Sequence, residues 1–313
     1  MRRRDFLAKS CVAGVASLAG AATVTDGQQR PEESEAAYRA RIARERAEQV
    51  PIPRHPGETD AAYRRRLAQI RAAQAAARAA NGVRQYYELR RYEIETEEQK
   101  AGFDKFASEA LIPAANQLGI EPVGVFYPAE DLSPIYVLLP HKSVFSFLAF
   151  TQRLSEDEKF LEAGADFVNA PADRPAYRSL EVQLMVAFEG MPQLERPVDV
   201  PGRVFQLRTY ESPSVKTGQK KIEMFNTAEI AIFRKVGLHP VFFGETLAGT
   251  KMPNLTYMLV FRDMEESKAN WKAFSADLEW QTLRAIPEYA DKAILRPKGI
   301  TNLYLKPASY SQI

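Results

Sequence analysis

The sequence predicts an α+β fold in which two ferredoxin-like units of order β-α-β-β-α-β stand in tandem behind a charged helical arm. Three echoes carry this reading. Tyr87-Glu88-Leu89-Arg90-Arg91-Tyr92-Glu93 returns as Phe205-Gln206-Leu207-Arg208-Thr209-Tyr210-Glu211, a shift of 118 residues. Gly119-Ile120-Glu121-Pro122-Val123 returns as Gly237-Leu238-His239-Pro240-Val241 at the same shift, and Tyr136-Val137-Leu138-Leu139 returns as Tyr257-Met258-Leu259-Val260 at 121. A shift held over separated blocks marks a duplicated domain, far longer than the roughly 20–50 residues of a solenoid repeat.

Residues 1–22 read as an export signal. Arg2-Arg3-Arg4-Asp5-Phe6-Leu7 resembles a twin-arginine pattern, and the apolar run that follows ends in Ala19-Gly20-Ala21, small residues suited to cleavage. That run is weakly apolar and well short of the roughly 20 residues a spanning helix needs. The competing reading is a basic N-terminus on a chain that stays in the cytosol. The export reading places the protein in the periplasm or cell envelope. Cleavage would remove Cys11, the only cysteine, which excludes disulfides and thiolate sites from the mature chain. A formal charge of +2 gives no case for a nucleic-acid partner.

Residues 23–82 form the arm. Pro31-Glu32-Glu33-Ser34-Glu35-Ala36-Ala37-Tyr38-Arg39 recurs as Pro56-Gly57-Glu58-Thr59-Asp60-Ala61-Ala62-Tyr63-Arg64 after 25 residues. Each copy starts a helix at Ser34 or Thr59, where a side-chain oxygen can cap the first turn, and Pro51 and Pro53 separate the copies. Tyr38 and Ile42, then Tyr63, Leu67 and Ile70, give each helix one thin apolar stripe. The arm is either a solvated spacer or a docking element that makes peripheral envelope contact through residues 31–80, where ten arginines face seven acids.

The two units span 83–190 and 203–313, joined by a proline-bearing linker, 191–202. In the first, 87–93 alternates as a strand, and 100–118 places Phe103, Phe106, Ala107 and Leu111 at helical spacings before Gly119 stops it. Strands follow at 123–127 and 135–139, then a helix over 143–153 carrying Phe145, Leu148 and Ala149, and a strand over 180–186. The second unit repeats the order with strands at 204–211, 240–244, 255–261 and 301–305 and helices at 218–236 and 266–275.

Leu207-Arg208-x-Tyr210-Glu211, Gly237-Leu238-x-Pro240-Val241-x-x-Gly244 and Trp271-x-x-Phe274-x-x-Asp277-x-Glu279-Trp280 resemble the NIPSNAP domain family of the dimeric α+β barrel group. The resemblance covers 83–313 and is thinner in the first unit, where the acid–tryptophan block lacks its tryptophan. It implies that the two sheets pack face to face as one intrachain barrel. The family's activity is poorly defined, so the resemblance supplies little chemistry.

Side chains two apart share a face of a strand. The Tyr87/Leu89 and Phe205/Leu207 faces are expected to meet the helices. Glu88, Arg90 and Tyr92, with Gln206, Arg208 and Tyr210, are then expected to line the lumen. There they either knit the two sheets together or hold a small apolar or anionic ligand. His239 replaces Glu121 of the first unit and reads either as polar surface or as a general base or haem ligand. No metal or phosphate motif appears, and the acids at 156–158 and 263–266 suit helix starts. Two functions remain open. One is a binding or scaffolding barrel without a cofactor, its unknown partner a protein or that ligand; the other is a haem-dependent or cofactor-free oxygenase with a lumen site. Further pairing into a homo-oligomer is expected.

Overall fold

The computed structural model describes residues 84–313 and, ahead of them, Gly57, Thr59, Ala61, Ala62 and Arg65. The signal segment, Cys11, His55 and most of the arm lie outside the described residues. Within the arm the Ala62 N–H donates to Thr59 Oγ1 at 3.3 Å, the cap expected at that position.

Eight strands close into one antiparallel barrel: β1 (Tyr86–Glu93), β2 (Gly124–Pro128), β3 (Ile135–His141), β4 (Ser179–Ala187), β5 (Val204–Glu211), β6 (His239–Ala248), β7 (Asn254–Phe261) and β8 (Ile300–Pro307). Around the barrel the order is β1-β3-β2-β8-β5-β7-β6-β4. Half of that circuit is β4-β1-β3-β2 and the other half β8-β5-β7-β6, the same ferredoxin-like arrangement twice. The halves join where β2 pairs with β8 and β4 with β6, so no sheet edge is left open.

In the first half, α1 (Glu97–Phe106) starts at Thr96, whose hydroxyl accepts from the Gln99 N–H, and runs through a π turn (Ala107–Leu111) into α2 (Ile112–Gln117). Next come α3 (Val144–Ser155), capped by Ser143, α4 (Glu158–Ala163), capped by Asp157, and the single turn α5 (Ala165–Val168). The second half repeats this with α6 (Val215–Met224), a π turn (Phe225–Glu229) and α7 (Ile230–Lys235). It continues with α8 (Met264–Ala276), capped by Asp263, α9 (Leu278–Arg284), capped by Asp277, and α10 (Asp291–Ile294). The acids at 156–158 and 263–266 thus include two helix caps. The two π turns lie 118 residues apart, so this rare distortion was duplicated along with the fold. Gly119 and Gly237 end their helices at φ 71° and 84°, a conformation that costs any Cβ-bearing residue.

Two layers of core follow. The lumen is packed by side chains from all eight strands, among them Tyr87, Leu89, Phe126, Leu138, Met185, Phe205, Leu207, Phe242, Met258 and Leu305. Rings from opposite halves meet there, Phe126 with Phe205 at 4.8 Å and Tyr87 with Phe242 at 5.0 Å between centroids. At the end where β1 and β5 finish, Gln183 Nε2 donates to Thr246 and Thr256, and Thr209 bonds Thr256, closing the barrel with paired polar groups. Outside the first sheet a separate core joins Tyr92, Val125, Val137 and Leu139 to Phe103, Phe106, Leu111 and Phe150 of the helices.

This reverses the expected facing. Tyr87 and Leu89, with Phe205 and Leu207, fill the lumen, whereas Glu88, Arg90 and Tyr92, with Gln206, Arg208 and Tyr210, lie on the outer faces beneath the helices. The reason is electrostatic. A lumen lined by both copies of the polar face would bring Arg90 and Arg208 together in a dry space, where like charges are costly. Two more corrections concern register. In α3 the buried residues are Phe150 and Leu154, while Phe145 and Leu148 are exposed, because the stripe that packs on His141 of β3 runs through Phe147 and Phe150, two residues out of step and so on the opposite face of the helix. The third echo is one residue out of step. Leu89 pairs with Leu138 and Leu207 with Met258, a shift of 120, so Tyr136 faces the lumen and Tyr257 the outer layer.

Candidate functional site

Both outer layers bury polar side chains at equivalent places, and the two differ in charge. In the first half a continuous chain of hydrogen bonds crosses the layer. Ser146 Oγ lies 3.0 Å from His141 Nδ1, and His141 Nε2 lies 2.9 Å from Glu88 Oε2. Arg90 Nε donates to Glu88 Oε1 at 2.6 Å and its Nη1 reaches Tyr92 Oη at 3.4 Å. Glu88 is 3% and His141 0% exposed, so each charge must be met within the layer. Burial pushes Glu88 up, but the hydrogen bonds and charges of His141 and Arg90 outweigh it and hold the carboxyl below its ordinary value. The result is a compensated cluster in which Arg90 has a carboxylate of its own.

In the second half Gln206 stands where Glu88 was, and Phe261 where His141 was. Gln206 is fully committed to neutral partners. Its Oε1 accepts from Trp271 Nε1 at 2.7 Å, and its Nε2 donates to Asn302 Oδ1 at 2.7 Å and to Tyr304 Oη at 3.1 Å. Arg208 is therefore left without an acid beside it on the strand. Its Nη2 donates to Tyr210 Oη at 3.1 Å, its guanidinium lies 4.6 Å from the Trp271 ring centre, and its Nε is buried with no partner. The Tyr210 and Tyr257 hydroxyls are 3.0 Å apart. Burial pushes the Tyr257 hydroxyl far up, so it stays protonated.

Beneath Arg208 sits a buried ion pair. Lys221 Nζ lies 3.0 Å from Glu229 Oε2, with the two side chains 1% and 2% exposed. Rings of Phe225, Tyr210 and Trp280 surround the ammonium at 4.8, 5.5 and 5.7 Å. Burial raises Glu229 despite the opposing pull of Lys221 and Arg208. The equivalent places in the first half hold Phe103 and Leu111, both fully buried and apolar. Trp271, Phe274 and Trp280 belong to this outer core, packed around Phe233, with Phe160 taking the place of Trp280 in the first half.

The structure thus brings Glu88, Arg90 and Tyr92 together in one layer and Gln206, Arg208 and Tyr210 in the other, with the packed lumen between. His239 joins neither. It is exposed at the start of β6, paired across the ladder with Val260. Sequence reasoning missed the role of His141, the Lys221–Glu229 pair, and Asn302 and Tyr304. Aligning the units at 118 residues would have exposed Lys221 and Glu229 as charges standing on Phe103 and Leu111.

Haem does not fit these residues. His141 has both ring nitrogens engaged, by Glu88 and Ser146, and His239 is exposed at the start of β6, on the face it shares with Val260 and Phe205, beside a lumen filled by side chains. The lumen that would hold such a ring is a close-packed core. A groove of about 620 Å³ runs along the outside of the first half between α1 and residues 163–176, lined by Thr96, Gln99, Lys105, Phe167 and Arg174, with Lys105 already paired to Asp166. Among the described residues no helix is long and apolar enough to cross a membrane, and no cluster of three or more His, Cys, Asp or Glu side chains is arranged to hold a metal ion.

Residues 205–312, the second half of the barrel, match the NIPSNAP family model. No curated protein matches the chain in sequence. Among solved structures, an uncharacterised NIPSNAP-like domain protein from Burkholderia xenovorans is 20% identical over 35% of this chain and 88% of its own, with a TM-score of 0.31. A protein assigned provisionally as a monooxygenase, from Fusobacterium nucleatum, is 8% identical over 72% of this chain and 93% of its own, at 0.49. A mutant chlorite dismutase from Candidatus Nitrospira defluvii in complex with cyanide is 9% identical over 76% and 96%, at 0.41. Identities this low transfer no site residue to this chain.

Proposed function

We propose that the chain is a binding protein whose barrel is a rigid body and whose recognition chemistry lies in the outer layers. The observation that carries this is the filled lumen. Aromatic and aliphatic side chains from both sheets meet across it, Phe126 with Phe205 and Tyr87 with Phe242. The outer layer of the second half, by contrast, holds a cation that the duplication left without a direct ion pair. A lumen oxygenase has no comparable support, since the polar residues it would use face away from that space.

Export by the twin-arginine route is part of this proposal, resting on Arg3, Arg4, Phe6 and Leu7 with the small residues that follow. So is the arm as a tether to the envelope or to a protein partner, resting on its thin apolar stripes and dense charge. Haemin titration and native mass spectrometry of the purified protein test the binding reading. It predicts no Soret shift and no stoichiometric haem adduct. A saturable Soret band at one haem per chain would overturn it. Fractionation of cells carrying Arg3→Lys and Arg4→Lys together tests export, which predicts loss of the protein from the envelope fraction.

A further inference from the structure

The duplication supplies an internal comparison that identifies where a ligand would sit. At the first outer layer, the strand beside Arg90 contributes Val182 and Leu180, paired in register with Arg90 and Tyr92. The arginine there is held by Glu88 at 2.6 Å, so its charge is met within the layer. At the second, the strand beside Arg208 contributes Asn302, which is exposed, and Tyr304, whose hydroxyl also bonds Ser267 at 3.0 Å. Acid, histidine and valine have become glutamine, phenylalanine and asparagine. Glutamine removes the negative charge, asparagine adds neutral hydrogen-bonding capacity, and phenylalanine takes the place of the histidine that held the acid.

Arg208 is only partly buried, its Nε is unpartnered, and its partners are the neutral hydroxyls of Tyr210 and Tyr257. Among the described residues no carboxylate lies within the 4.0 Å of an ion pair. The acid beneath, Glu229, is already held by Lys221 at 3.0 Å. A guanidinium in such a place costs desolvation that no direct ion pair repays, since Glu229 acts on it only through space. Planar donors of this kind match the two oxygens of a carboxylate or phosphate.

We propose that the outer face of β5 and β8, where Arg208, Asn302, Tyr304 and Trp271 come together, binds a small oxyanion, a carboxylate or a phosphate group. The guanidinium supplies the charge, the Asn302 amide lies beside it for a second polar contact, and Trp271 stacks on the arginine and fixes its plane. Gln206 holds Trp271 and Asn302 in place without competing for the ligand. This rests on the binding reading above and adds the ligand class and its address.

The test is calorimetric titration of the full chain with sodium benzoate and, separately, with inorganic phosphate. Saturable one-to-one binding is expected for at least one of them, and which one binds decides between a carboxylate and a phosphate source. Arg208→Gln should weaken it by about tenfold or more, the scale of a lost charge-assisted hydrogen bond. Gln206→Glu keeps the arginine and restores the acid of the first half, so it should weaken binding equally by occupying the guanidinium from within. Lys105→Gln, in the groove of the first half, should leave binding unchanged. In the unmodified chain, the indole N–H resonance of Trp271 should move on anion addition and that of Trp280 should not, a readout independent of how the variants fold. Failure of both anions to bind, or undiminished binding by Gln206→Glu, would overturn the proposal. That failure is separable from failure of the binding reading, which falls only if the lumen proves to admit a ligand.

Discussion

Replacing Lys221 and Glu229 together should cost little or even stabilise the protein, while replacing either alone should be severe. The two side chains are 1% and 2% exposed, and their mutual contact at 3.0 Å is the only ion pair either makes among the described residues. Taking both charges out of water costs several kcal/mol each, which their attraction roughly offsets. Glu229→Leu strands an ammonium among Phe225, Tyr210 and Trp280, and Lys221→Met strands a carboxylate in the same place. Each single change is expected to cost about 3–5 kcal/mol. The double variant removes both charges at nearly constant volume, and its expected effect lies between no change and about 1–4 kcal/mol of stabilisation. The first half shows that the site accepts apolar residues, because Phe103 and Leu111 occupy it there with 0% exposure. Urea unfolding followed by tryptophan fluorescence reads all three variants, and the double-mutant cycle isolates the pair. A double variant as unstable as the worse single one would refute the reasoning, because the cost would then come from lost shape and not from stranded charge.

Three further outcomes are expected. Glu88→Gln should destabilise the protein at neutral pH. Because the folded pKa of Glu88 is depressed, its contribution is complete above the ordinary glutamate value of about 4.5 and is lost as pH falls through the lower folded value, so urea midpoints of variant and parent should converge in acid. Glu229, raised by burial, has the opposite sign, and its contribution grows as pH falls. Phe242→Ala, which empties a ring from the lumen, should cost about 3–5 kcal/mol in the same assay. Tyr87→Phe should be neutral or gain up to about 1 kcal/mol, since the Tyr87 hydroxyl is buried in the lumen without a partner; a clear loss would show that a group or water satisfies it.

Much of the architecture was legible because duplication writes it twice. The block from Tyr87 to Glu93 and its copy share both alternation and surroundings, so the repeated order of elements followed, while closure into one barrel came from the family resemblance. What alternation alone does not reveal is which face turns inward. Both faces of β1 are buried, and a polar residue such as Arg90 fits either one until its partners are known. The decision came from residues distant in sequence: His141 and Ser146 in one half, Trp271, Asn302 and Tyr304 in the other. The short helices α4 and α9 were missed as elements because each is a turn or two, too short to show a period, although the acids that cap them were visible. Tyr136 and Tyr257 misled through chemical likeness, since one faces the lumen and the other the outer layer. The difference between Glu88 and Gln206 was plain in the sequence, but its meaning depended on knowing that Arg208 has no other acid.

Thiol labelling at two positions tests the central claim, a solid lumen with its chemistry outside. In a chain whose Cys11 is replaced by serine, Met258→Cys places a thiol in the lumen and Asn302→Cys places one on the exposed strand position beside Arg208. The account predicts that the Asn302→Cys thiol reacts with a maleimide at the rate of a free thiol, while the Met258→Cys thiol reacts only as fast as the whole barrel unfolds. Rapid labelling of the Met258→Cys thiol in the folded protein would contradict it, because an accessible lumen would put the binding site back between the sheets.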